Sequence, residues 1–87
     1  MRFTVEERHL TDESGRPITD PYPASFLSLQ AENVDEAVQL YLAEAEAELI
    51  GNVLKLPGMQ GVATVRKASG VYTVQFTPTS QRDATRS

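Results

Sequence analysis

The chain has 87 residues, a net charge of −4, one histidine and no cysteine. That length makes one domain, and a chain this short buries only about 60% of its unfolded surface. Without cysteine, disulfides and thiolate metal sites are excluded, so oligomerisation is the help that the sequence leads us to expect.

Charge is unevenly spread. Five of the twelve acids, Asp35, Glu36, Glu44, Glu46 and Glu48, lie between Asn33 and Ile50, a stretch without any base. The other seven acids and eight bases leave the remainder at +1. An acidic surface repels phosphate backbones and attracts basic partners, so no nucleic-acid binding is expected. No run approaches the roughly 18 apolar residues that span a bilayer. Met1–Arg8 also lacks the apolar stretch of a secretion signal, so a cytoplasmic location away from membranes is the expectation.

Arg2–Leu10 alternates Phe3 and Val5 with Thr4 and Glu6, which predicts a strand. Thr11–Pro23, T-D-E-S-G-R-P-I-T-D-P-Y-P, contains three prolines and reads as an irregular surface loop. Long loops of this kind often carry binding residues. Ala24–Ala31 predicts a second strand, with Leu27 and Leu29 on one face and Phe26 on the other. Apolar residues on both faces point to a central strand, or to one whose far face meets another subunit.

Asn33–Ile50 predicts the dominant helix. Asn33 can cap it, Glu36 can reach back, and Asp35 and Glu36 suit the positive end of the dipole. Val34, Ala37, Val38, Tyr41, Leu42, Ala45 and Leu49 have the spacing of a buried face, and Gly51-Asn52 supplies a stop. Val53–Leu56 follows as a short strand closed by Pro57-Gly58. Gly61–Ala68 and Val71–Pro78 then form a hairpin. A Ser69-Gly70 turn pairs Val65 with Val74, Ala63 with Phe76 and Lys67 with Tyr72. A four-residue Lys67–Gly70 loop sorts the faces in the same way. Either arrangement puts Ala63, Val65, Tyr72, Val74 and Phe76 on one face, with Thr64, Arg66, Thr73 and Gln75 on the other. The polar tail Thr79–Ser87 is expected to be disordered, leaving residues 1–78 as the domain. The order β-β-α-β-β-β predicts a two-layer α+β fold with one long helix packed on a mostly antiparallel sheet.

At about 100° per residue, Leu40, Ala43, Ala47 and Ile50 make a second stripe opposite the helix core face, flanked by Glu44 and Glu46. Small residues at Ala43 and Ala47 would admit another backbone; alanine is equally plain helix filler, and one exposed leucine needs no explanation. Two such helices would oppose acid with acid. The stripe therefore suits a basic surface, either another protein or the Arg66–Lys67 region of a second copy. Leu40, Ala43, Glu44, Glu46 and Ala47 are the candidate partner-binding residues. The glutamate spacing matches no calcium loop, and no metal or cofactor is expected.

His9, among Glu7, Asp12 and Glu13, could support general-base chemistry. Ser14, Ser25, Ser28 and Ser69 sit in no nucleophile-elbow pattern. Gly58-Met59-Gln60-Gly61 has the G-x-x-G form of an RNA-binding loop, but it joins predicted strands and has Lys55 as its one nearby base, which makes it a tight turn. Asn33-Val34-Asp35-Glu36-Ala37 through Tyr41-Leu42 is similar to the helix of HicB-type antitoxins, and Leu56-Pro57-Gly58 resembles their turn. The two occur in the opposite order here, so no functional residue is carried over.

The expected role is a non-catalytic binding module acting as a homodimer or small oligomer. One alternative is an acidic regulatory protein that masks a basic partner, as an antitoxin does. Another is an enzyme assembled at a subunit boundary around His9 and the proline-rich loop. Nucleic-acid binding would require Arg2, Arg66 and Lys67 to converge on one face.

Overall fold

Residues 1–18 and 24–79 are described in a computed structural model. Strands β1 (Arg2–Thr11), β2 (Ser25–Gln30), β3 (Glu48–Leu56), β4 (Gln60–Lys67) and β5 (Gly70–Pro78) are joined by one helix, α1 (Val34–Ala45). They form a single antiparallel sheet in the order β2-β1-β5-β4-β3. The expected α+β class and element order are observed.

The two edge strands, β2 and β3, run parallel to each other, and α1 is the crossover between them. Strands so related cannot be joined by a tight turn, which is why a helix belongs at this place in the chain. The helix is twelve residues long, about 18 Å at 1.5 Å per residue.

Asn33 caps α1 as expected: its Oδ1 accepts the Glu36 N–H at 2.9 Å. The Glu36 carboxylate reaches back one residue further, accepting the Glu32 N–H at 2.6 Å. The helix ends earlier than the periodicity predicts. Glu46 takes a left-handed conformation as C-cap, its N–H bonded to the Leu42 carbonyl. Glu44 and Glu48 would repel one another in a longer helix, and no base offsets the dipole in the last turn. Strand pairing also competes for these residues. Leu49 pairs with Val65 and Ile50 with Thr64, so the expected end of the helix is the start of β3. Gly51-Asn52, expected as the helix stop, lies where the β3 register shifts between Ile50 and Leu54.

The helix rests on one sheet face. Phe3 and Val5 of β1, Ala63 and Val65 of β4, and Val74 and Phe76 of β5 are buried beneath Val34, Ala37, Val38 and Tyr41. Tyr41 meets Phe76 edge to face, with ring centroids 5.7 Å apart. Gly61 lies directly under the helix start, where an added Cβ would come within 2.7 Å of the Val34 Cγ2.

The hairpin sorts its faces as predicted, but in the register of the longer loop. Val65 pairs with Tyr72, Ala63 with Val74, and Lys67 with Gly70, leaving Ala68 and Ser69 at the tip. The physical reason is Gly70. With φ of +133°, it passes so close to the end of β1 that a side chain there would overlap the Thr11 carbonyl and approach His9 Nε2 to 2.8 Å. The glycine serves strand contact, not the turn.

Thr11–Ile18 is more regular than expected. Asp12 Oδ1 accepts the N–H groups of Ser14 at 2.9 Å and Arg16 at 3.0 Å, and Thr11 bridges to Pro17. The rest of that loop (19–23) and the tail from 80 to 87 lie outside the described residues. Thr79 is described: its N–H donates to the Arg2 carbonyl at 2.7 Å. No described helix is long and apolar enough to cross a membrane.

Gly70→Ala is expected to lower stability by more than about 2 kcal/mol, since it combines backbone strain with steric overlap. Urea denaturation measures this, and an unchanged midpoint would contradict the close approach.

Candidate functional site

Beyond the C-terminal end of α1, the helix-facing side of the sheet turns polar. Glu7, His9, Tyr72 and Lys67 lie on this face because they continue the rows begun by Val5, Phe76 and Val65. The Glu7 carboxylate accepts from Lys67 Nζ at 2.8 Å and from the Tyr41 hydroxyl. The ion pair is well covered, with side-chain exposures of 20% for Lys67 and 11% for Glu7. Lys67 Nζ also lies 4.4 Å from the Tyr72 ring centroid. His9 stacks on Tyr72 with centroids 4.2 Å apart and planes 4° from parallel.

Burial alone would raise the Glu7 pKa, but the hydrogen bonds from Lys67 and Tyr41 and the Lys67 charge outweigh it and bring the value below the ordinary 4.5. Burial raises the Tyr41 pKa, and the adjacent Glu7 carboxylate raises it further. At neutral pH the pair is therefore a carboxylate and a neutral phenol. A carboxylate held by two fixed donors is a poor proton acceptor.

His9 is held from the far hairpin. A carbonyl can only accept, so His9 Nε2 carries the proton it donates to the Ser69 oxygen at 2.9 Å. Of the carboxylates expected around His9, Glu7 holds Lys67 and Tyr41, and Asp12 holds two backbone N–H groups. A shallow depression of about 190 Å³ lies nearby, lined by residues that include Thr11, Asp12, Glu13, Arg66, Lys67 and Val71. The cluster ties helix to sheet more than it presents reactive groups.

The candidate partner-binding residues divide. Leu40, Ala43 and Glu44 are exposed on α1, and Glu46 is exposed at its C-cap. Ala47 lies past the helix and packs against the core, while Ile50 belongs to β3. The predicted continuous stripe is thus cut after Glu46, because the helix that would carry it stops at Ala45. Arg2 and Arg66 fall on the open sheet face near opposite strand ends, and Lys67 falls on the helix face, so the three do not converge. Arg66 lies 3.5 Å from Glu48. Among the described residues, no three His, Asp or Glu side chains are grouped to hold a metal.

A different surface emerges at the sheet's edge. The sequence admits β2 as a central strand, and the structure corrects this: β2 is an outermost strand. Phe26 is 66% exposed on the open face, and Leu27 is exposed beside it on the helix side. The available signal was the absence of any charge from Ala24 to Ala31. The open face also carries Leu54, 61% exposed, with Ile50, Leu56 and Val62 around it.

No family model, curated protein or solved structure matches this chain.

Glu7→Gln is expected to cost about 1.5–3 kcal/mol at pH 7, the range for a hydrogen bond to a charged group. Because the folded pKa is depressed, the carboxylate's contribution is present above 4.5 and disappears as the pH falls through the lowered value. The difference between wild type and variant in urea midpoint should therefore shrink on acidification. A pH-independent difference would show that the ion pair contributes nothing.

Proposed function

We propose that this chain is a non-catalytic protein-interaction module that acts in the cytoplasm as a homo-oligomer. The supporting observation is that one twelve-residue helix covers one face of five strands, while Phe26 and Leu54 remain more than half exposed elsewhere. Exposed apolar groups at an edge and on an open face are the features that partners cover. The polar cluster around Glu7 supports the non-catalytic part of the reading, since its groups are committed to one another.

A second reading, an acidic regulatory protein that masks a basic partner, is favoured by the outer surface of α1. There Leu40, 41% exposed, has Glu36, Ala43 and Glu44 as its helical neighbours. An apolar contact within an acidic rim suits a basic protein better than a second acidic helix.

Two measurements test these readings. Sedimentation of the wild type should give a mass above the 9.6 kDa monomer, increasing with concentration; a monomer throughout would overturn the oligomer reading. Ala43→Arg should abolish co-purification of a basic protein from native cells while leaving the helix content unchanged. Undiminished co-purification would remove the helix surface from the account.

A further inference from the structure

The direction of the β1–β2 ladder determines what the sheet's edge offers. The Ala31 N–H donates to the Met1 carbonyl at 2.9 Å, continuing the register that pairs Arg2 with Gln30. Hydrogen-bonded and non-bonded pairs alternate in antiparallel strands. The odd-numbered residues of β2 therefore turn their backbone groups toward β1, and Phe26, Ser28 and Gln30 turn theirs outward. Among the described residues, no strand lies beyond them.

Among the described residues, the other edge is protected and this one is not. β3 carries Glu48 and Lys55 and has an irregular register between Ile50 and Leu54, devices that discourage pairing. β2 is regular, uncharged and free of proline. A second copy suits it for a geometric reason. A dyad on Ser28 sets Leu27 of each copy against Leu29 of the other, on the face where Leu29 already packs against the core. Centring on Leu27 would set Leu29 against Ser25, and centring on Leu29 would set Leu27 against Ala31. The Ser28 register also places each exposed Phe26 beside Gln30 of the second copy. A shallow groove of about 220 Å³ lies there, lined by Arg2, Ser28, Leu29 and Gln30.

We propose that two copies join antiparallel through β2, with Ser28 on the dyad, as one continuous ten-stranded sheet. This rests on the homo-oligomer reading and names its surface. The acidic helices are left outward, where they do not meet.

Ser28→Pro and Ser28→Cys test the pairing. Proline at 28 removes an outward donor and no bond to β1, so the fold should persist, as a thermal melt can show. The variant should sediment as a monomer at concentrations where the wild type is dimeric. In this cysteine-free chain, Ser28→Cys should cross-link into a covalent dimer under mild oxidation. Directly paired Cα atoms lie about 5.5 Å apart, within disulfide range. Glu44→Cys should cross-link at least about tenfold more slowly, since no pairing holds it near its copy. A dimeric wild type whose Ser28→Cys links no faster than Glu44→Cys would overturn the edge pairing alone. A monomeric wild type would overturn both the pairing and the homo-oligomer reading.

Discussion

The contact on which the structure depends is the seat of α1 across the sheet. Because β2 and β3 occupy opposite edges and run the same way, the connection between them needs a crossover, and α1 supplies it. The helix seats where Gly61 lets Val34 come close near its start and Tyr41 settles against Phe76 and Glu7 further along. Burying this face is the principal source of stability, at roughly 25 cal/mol per Å² of apolar area. The Glu7–Lys67 pair then closes the face where the helix runs out. Its two charges are covered, so losing either partner would cost more than the intact pair contributes.

That arrangement leaves the molecule one-sided. Among the described residues, the face opposite the helix carries no second layer. The crossover also places a short, neutral strand at the rim. Charge is distributed accordingly: the acids of α1 face outward, while the edge at β2 carries none. Two copies meeting at the neutral edge avoid the repulsion that two meeting through their helices would suffer. The acidic surface then stays available to a partner of opposite charge.

Much of this fold was legible in the sequence, and the exceptions share a cause. The Asn33 cap, the Val34–Ala45 core face and the two faces of the hairpin follow from local chemistry and periodicity, and all are observed. The helix is shorter than its periodicity predicts because Glu48, Leu49 and Ile50 fit a helix locally, yet gain more by pairing with Arg66, Val65 and Thr64. Of the two hairpin registers that the pattern admits, two residues apart, the one with Val65 opposite Tyr72 forms because Gly70, a natural turn residue, is needed where β1 passes close. The ambiguity at β2 had the same origin. Two-sided apolar character suits a central strand and an unprotected edge equally, and only strand order separates them. His9 has the acids Glu7, Asp12 and Glu13 near it in sequence, whereas its partners Tyr72 and Ser69 come from the far hairpin. Long-range pairing decided each of these, and a single sequence carries little trace of it.

Native-state hydrogen exchange, followed residue by residue at low and high protein concentration, tests the central claim most directly. One sealed face and one open edge predict slow exchange at both concentrations for the amides of Leu27 and Leu29, which point to β1. The amides of Phe26, Ser28 and Gln30 should exchange rapidly when dilute and become protected as concentration rises. Equal behaviour of odd and even positions, or outward amides indifferent to concentration, would contradict the account.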